Sequence, residues 1–260
     1  MGLVFPSRVG MAAGLDRYGS MAHLAHRIGL GFVETGTVTP RAEPEHNRGI
    51  DELLRNLERH GWADSSARAD RARLGISIAR NSSTPHTDAW CDFAECMERA
   101  WHLADYFALN LGSLMPVMLK DRELLRGFLE RIANCRRALQ FERYRCVPMV
   151  VKLQLREGAW GDTVRAAESV VAAGLEGFLA VTCDNRTTGS ASAGALKDLA
   201  DIVDGRCVIL SVGGIRTPAV AIERLQAGAA LVQIHRALIW PGPRVARTIS
   251  AALAVAAKRF

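Results

Sequence analysis

The sequence predicts an α/β fold, a (β/α)8 or TIM barrel, on three observations. Eight short β-rich runs alternate with longer segments patterned for helix. Such alternation implies a parallel sheet, and eight units are what a barrel needs to close. The length, 260 residues, suits one such domain. The seventh run ends in Gly213 and Gly214, where the missing Cβ atoms let backbone amides approach an anion closely. Barrels of this kind hold phosphate groups at the ends of strands seven and eight.

The strand candidates are residues 9–13, 32–37, 74–78, 106–111, 149–153, 177–182, 208–212 and 231–234. Runs such as MVVKLQL and VILSV are apolar almost throughout, as expected of strands covered on both faces. Between them, apolar residues recur at helical spacing, as in Leu124, Phe128 and Ile132, or Val164, Ala167, Val170 and Val171 ahead of a stop at Gly174. Small-residue helix ends, AAGLEGF from Ala172 and AGAALV from Ala227, lead into the next strands. Residues 40–73 break this rhythm, with arginine-rich, turn-like EPEHNRG and ADSSARAD. That stretch is too long for a bare connection. It is expected to be an excursion from strand two over the barrel mouth, within one domain covering residues 1–260.

The formal charge of +6 comes from 33 basic and 27 acidic residues that are interspersed, with no basic block or basic-aromatic stripe. This argues for a solvated surface with some attraction for anionic small molecules and against a nucleic-acid partner. No apolar run reaches the ~18 residues of a spanning helix, and MGLVFPSRVG lacks the regions of a secretory signal. Pro6 stands where a myristoylation signal needs Ser or Thr. A cytoplasmic protein without membrane insertion is expected. The six cysteines, Cys91, Cys96, Cys135, Cys146, Cys183 and Cys207, include no CxxC pair, and His23 and His26 have no acidic or cysteine companion. No metal site is expected.

Barrel chemistry sits at the carboxyl ends of the strands. Strand one ends in Ala12, Ala13 and Gly14, small enough for a flat ring to lie on, and strand two ends in Thr35, Gly36 and Thr37. Strand three offers Ser77 and Arg80, strand four Asn110 and Ser113, strand five Lys152, and strand six Thr182 and Cys183. Gly213, Gly214, His235 and Arg236 close the ring as the phosphate seat. Lys152 stands out, because a lysine in an apolar strand must find a partner or remain costly. It is read either as a functional cation at the mouth or as a side chain that snorkels to the rim or pairs with a buried acid. Ser113 is read as a catalytic hydroxyl, against the alternative that it only caps a Gly-Ser turn.

From Met1 to about Pro243, the segments MGLVFPSRVGMAAGLDRYG, GFVETGTVTPRAEP, LGISIARNSSTP, ADYFALNLGS, VVKL, SVGGI and AGAALVQIHRALIWPGP resemble dihydroorotate dehydrogenases. They are most similar to the membrane-associated, quinone-using class with a catalytic serine. The resemblance implies FMN at the mouth of the barrel and a small-molecule substrate with adjacent C–H bonds. One hydrogen would leave as a proton to a base and the other as hydride to the flavin. By the same resemblance, Ala12, Ala13 and Gly14 pack on the flavin and Thr37 and Ser77 contact it. Asn110 faces flavin and substrate, Lys152 stands beside the electron-accepting edge, and Gly213, Gly214, His235 and Arg236 hold the phosphate. Ser113 is the base.

Several positions depart from the family pattern. NxSSPNT reads NLGSLMP, which puts Met115 where a substrate-binding asparagine is expected, and NRMGFNN reads LERHGWAD, with Ala63 and Asp64 for paired asparagines. Thr182 and Cys183 replace an asparagine and a hydroxyl residue, Arg17 replaces the lysine of AAGLDK, and Ala193 stands in the glycine-rich turn after strand six. Arg17, Asn110, Met115, Thr182 and Cys183 are therefore the candidate substrate positions, and a substrate other than dihydroorotate is expected. The family's N-terminal helical pair has no counterpart before Met1, so membrane quinone is not the expected oxidant. Two alternatives stand beside this reading: a divergent dihydroorotate dehydrogenase, and a flavin-free barrel with a binding role or unrelated chemistry.

Overall fold

Eight parallel strands close in sequence order into a barrel, β8 pairing back to β1. They are β1 (Val9–Met11), β2 (Phe32–Val38), β3 (Arg73–Ile78), β4 (Tyr106–Leu109), β5 (Met149–Gln154), β6 (Gly177–Val181), β7 (Val208–Val212) and β8 (Leu231–Ile234). The computed structural model describes residues 1–43, 47–62, 71–155, 160–182 and 190–256. The strands follow the sequence expectation to within one residue at each end, except that the first and fourth end two residues early. Ala12, Ala13, Asn110 and Leu111 lie in the turns at the mouth, although Ala12 N still donates to Ile234 O and Asn110 N to Ile78 O.

A 3-10 helix, Ala22–Ile28, follows β1. The other connections hold α1 (Gly49–Arg59), α2 (Ala89–Ala100), α3 (Leu114–Lys120), α4 (Arg122–Arg143), α5 (Trp160–Ala172), α6 (Ser190–Val203), α7 (Pro218–Gln226), α8 (Arg236–Ile239) and α9 (Arg244–Ala256). The segment that broke the sequence rhythm thus contains a crossover helix. In α1, Ile50, Leu53 and Leu57 are buried, the i, i+3, i+7 stripe of an amphipathic helix whose remaining face is polar. Asn56 Nδ2 donates to Tyr18 O at 3.0 Å, and the rings of His23 and His60 stack 4.1 Å apart. Both contacts fix α1 against the first connection. Ala63 and Asp64 lie outside the described residues. Among the described residues, no helix is long and apolar enough to cross a membrane.

The apolar core has two parts. One lies between the sheet and the helices. The other fills the barrel with Phe32, Tyr106, Ala108, Val150, Leu179, Leu210 and Leu231, with Met1, Leu3 and Phe5 packed against it. Gly10 and Gly75 make room for the two large rings. A Cβ on Gly10 would stand 2.4 Å from the Phe32 ring, and one on Gly75 would stand 2.1 Å from Cζ of Tyr106. Gly75→Ala is therefore expected to displace Tyr106 and cost about 1–3 kcal/mol. The check is the urea midpoint of unfolding, with the slope unchanged.

Candidate active site

At the carboxyl ends of the strands opens a cavity of about 230 Å³. Seven of the residues singled out from the sequence line it: Ala12, Ala13, Lys152, Gly213, Gly214, His235 and Arg236. Gly213 and Gly214 have φ of 114° and 70°, a left-handed turn open to glycine. Arg216 joins Arg236 on this side, and the buried Arg224 guanidinium lies behind Gly214, 3.9 Å from where a Cβ would be. Gly14 sits beside His235, whose Nε2 would be the nearest atom to a Cβ there, 3.9 Å away. Gly14 N donates to Gly36 O at 2.9 Å, and Gly36 N donates to Arg17 O at 3.0 Å, so the ends of β1 and β2 are clipped together and Arg17 is held at that corner.

Thr37, Ser77 and Asn110 form one hydrogen-bonded group across β2, β3 and the end of β4. Asn110 Nδ2 donates to Thr37 Oγ1 at 2.8 Å, and Thr37 Oγ1 and Ser77 Oγ are 2.9 Å apart. Asn47 Nδ2 donates to Thr37 O at 3.1 Å, tying the approach to α1 to the same point. Because Asn110 spends its amide nitrogen on Thr37, its Oδ1 is left as an acceptor, and the hydroxyl pair stands fixed beside it.

Lys152 is half-buried on β5 and faces the cavity. The buried acid near it is Glu34, which was not among the residues singled out at the strand ends. Glu34 also lines the cavity and is fully buried. Tyr106 Oη donates to Glu34 Oε2 at 3.1 Å, and Gln233 Nε2 donates to the same oxygen at 2.8 Å. Burial pushes the Glu34 carboxyl up from its ordinary range, while Gln233, the Lys152 charge and Tyr106 pull it down. Burial, followed by the Glu34 carboxyl beside it, raises the Tyr106 phenol well above its usual value. The signal for Glu34, Tyr106 and Gln233 was present in FVETG, ADYF and LVQI, each a polar group in an apolar strand, as with Lys152.

Other candidates fall elsewhere. Met115 is buried in the core between sheet and helices, and neither it nor Gly14, Arg17, Thr37, Ser77, Asn110 or Ser113 is among the residues that line the cavity. Packing in α3 turns its side chain away from the mouth. Thr182 is also buried, and its hydroxyl reaches Val212 O at 3.1 Å and Gly213 O at 3.3 Å, which holds the double-glycine turn in place. Ser113 is exposed at the start of α3, and its side chain makes no capping hydrogen bond. Ala193 lies in α6 and packs against the core. Cys183 lies outside the described residues.

The groups present fit FMN. Small residues border one side of the cavity, a double-glycine turn with arginines borders another, and Lys152 stands on the floor. A flat, anionic, phosphorylated ligand satisfies that set.

The family model described as dihydroorotate dehydrogenase matches residues 187–256. A dihydroorotate dehydrogenase (quinone) of Neisseria meningitidis serogroup A is 31% identical over 299 residues, covering 98% of this chain and 86% of the relative. One from Shewanella loihica is 29% identical, covering 99% and 86%. Among solved structures, the ligand-free DHODH of Eimeria tenella superposes with a TM-score of 0.83 at 24% identity, covering 97% of this chain and 84% of that one. The same organism's enzyme in complex with ferulenol gives 0.81 at 23% identity, covering 97% and 82%.

Thr37→Val removes the acceptor of Asn110 Nδ2 and the partner of Ser77. It is expected to cost about 1–3 kcal/mol by leaving polar groups unpaired, with a smaller loss in Thr37→Ser. Denaturant unfolding of the two variants side by side checks this.

Proposed function

The chain belongs to the dihydroorotate dehydrogenase family, and on that premise we propose that it is an FMN-dependent oxidoreductase acting on a CH–CH bond of a small molecule other than dihydroorotate. The observation that carries the cofactor is the cavity between Lys152 and the Gly213–Gly214 turn. FMN, when bound, supplies a two-electron acceptor. The chain's own residues do the rest. Gly213, Gly214, His235 and Arg236 bind the phosphate, Ala12 and Ala13 leave room for the ring, and Lys152 Nζ stabilises negative charge at its edge. Asn110 Oδ1 orients the substrate from the Thr37–Ser77 wall. Ser113 Oγ, exposed and not used as a cap, takes the substrate proton as its own hydroxyl proton passes to solvent water.

The change of substrate is supported by what has become of the amide readers. Met115 points into the core and Thr182 spends its hydroxyl on β7. A site that reads a polar ring edge through buried amides loses several orders of magnitude when those amides are missing. A second reading, dihydroorotate itself, is favoured by the 31% identity across 98% of the chain and by the intact Thr37, Asn110, Ser113 and Lys152.

The purified protein is expected to be yellow or to take up one FMN, and its flavin is expected to keep its colour when mixed anaerobically with dihydroorotate. Bleaching on that addition would overturn the main reading in favour of the second, and failure to take up any FMN would overturn both. Lys152→Ala is expected to slow flavin reduction by about 10²–10³ with little change in thermal midpoint. An equal loss of rate and folding would return Lys152 to a structural role.

A further inference from the structure

The barrel interior changes character along its axis. Its lower layers are apolar, but the floor of the cavity carries Glu34 from β2, Lys152 from β5 and Gln233 from β8, with the hydroxyl of Tyr106 reaching up from β4. Both donors to the Glu34 carboxyl converge on Oε2. The other oxygen, Oε1, is buried and has no hydrogen-bond partner among the described residues, and neither has Oε1 of Gln233. Lys152 acts on Glu34 through its charge but makes no direct ion pair with it among the described residues.

This bonding pattern distinguishes two forms of the group. A carboxylate would bury a charge with one oxygen bare, which is costly. A carboxylic acid uses Oε2 as the carbonyl that accepts both hydrogen bonds and carries its proton on Oε1, so the bare oxygen becomes a donor. The net effect of the surroundings is in the same direction, burial outweighing the three groups that favour the anion. Tyr106 stays a neutral phenol. Among the described residues, β1, β3, β6 and β7 bring no titratable side chain to this floor, and the remaining ionisable groups of the cavity, His235, Arg216 and Arg236, are on the side of the phosphate seat.

We infer that Glu34 is a specificity-determining group of the cavity floor, a neutral acid that offers a hydrogen-bond donor beneath the ligand and leaves the Lys152 ammonium uncompensated for an electron-rich or anionic ring edge. The ligand class is therefore a flat ring with acceptor atoms at its edge. Naming that ring as FMN rests on the function proposed above. The sign of the pH dependence follows: the neutral form binds, so affinity is full below the carboxyl's raised pKa and is lost as pH rises through it.

The test has two measurements. In the ligand-free protein at neutral pH, the infrared spectrum should contain a protonated-carboxyl band that fades at higher pH and is missing from Glu34→Gln. Tyr106→Phe, which removes one donor to Oε2, should shift the band, and this assigns it even if Glu34→Gln fails to fold. FMN titrated into the wild-type protein should bind with constant affinity until the band fades, then weaken by about tenfold per pH unit. Glu34→Gln, neutral and still a donor at every pH, should keep the low-pH affinity throughout. His235 and the arginines are common to both proteins and cancel in the comparison. Absence of the band at neutral pH, or a parallel decline of affinity in both proteins, would overturn the inference. A band that behaves as described in a protein that binds no FMN at any pH would remove the FMN reading and leave the neutral floor acid standing.

Discussion

The bore of an eight-stranded barrel holds only as many side chains as its strands can aim inward, and here two aromatic rings occupy it because two strands present glycine opposite them. Phe32 and Tyr106 meet edge to face with centroids 6.5 Å apart, and Phe5 closes on Phe32 at 5.4 Å. That packing fixes the height of Tyr106 along the axis. Its hydroxyl reaches the level of Glu34 only because the ring stands where Gly75 leaves space. The polar floor of the cavity is thus set by the apolar filling beneath it.

Above that floor, the mouth is held by hydrogen bonds between strand ends more than by packing. Asp16 is buried and accepts from the backbone nitrogens of Ser20 and Met21, each at 2.8 Å, which shapes the corner after the Ala12–Ala13 pair. Thr37, Ser77 and Asn110 join three strands, and Thr182 joins β6 to the glycine turn. A site assembled this way is rigid without being filled, and its cations gather around one space. Lys152, Arg216 and Arg236 line it and, among the described residues, the only acid in its lining is Glu34, so the field in the cavity favours a negatively charged occupant.

The strands were legible because a parallel barrel buries both faces of its sheet, which leaves runs too apolar for any other element. Helix α1 was harder to see. Its stripe of Ile50, Leu53 and Leu57 lies among charged residues, between two turn-like segments that dominate the composition. Lys152 was found as a polar residue in an apolar strand, and the same test applied to Glu34, Tyr106 and Gln233 would have found the rest of the floor. Met115 and Thr182 show the limit of arguing from position. Being near a strand end places a residue at the mouth, but the direction of the side chain depends on the packing of α3 for one and on the β7 carbonyls for the other, and neither is encoded in local spacing.

The floor and the rim of the cavity differ in how far their residues depend on one another. Residues that set the bore and the floor, such as Phe32, Glu34, Gly75, Tyr106 and Gln233, contact one another across several strands, so replacing one leaves its neighbours unpaired or overpacked. Residues that would read a substrate stand on separate loops and answer to the ligand, not to each other. Met115 packs in the core and the Thr182 hydroxyl bonds at the end of β7, apart from the hydrogen bonds that join Thr37, Ser77 and Asn110. On the proposed function, this separation lets a barrel keep its flavin and lose its original substrate. The floor is a unit coupled through shared hydrogen bonds, while the rim residues stand apart from one another.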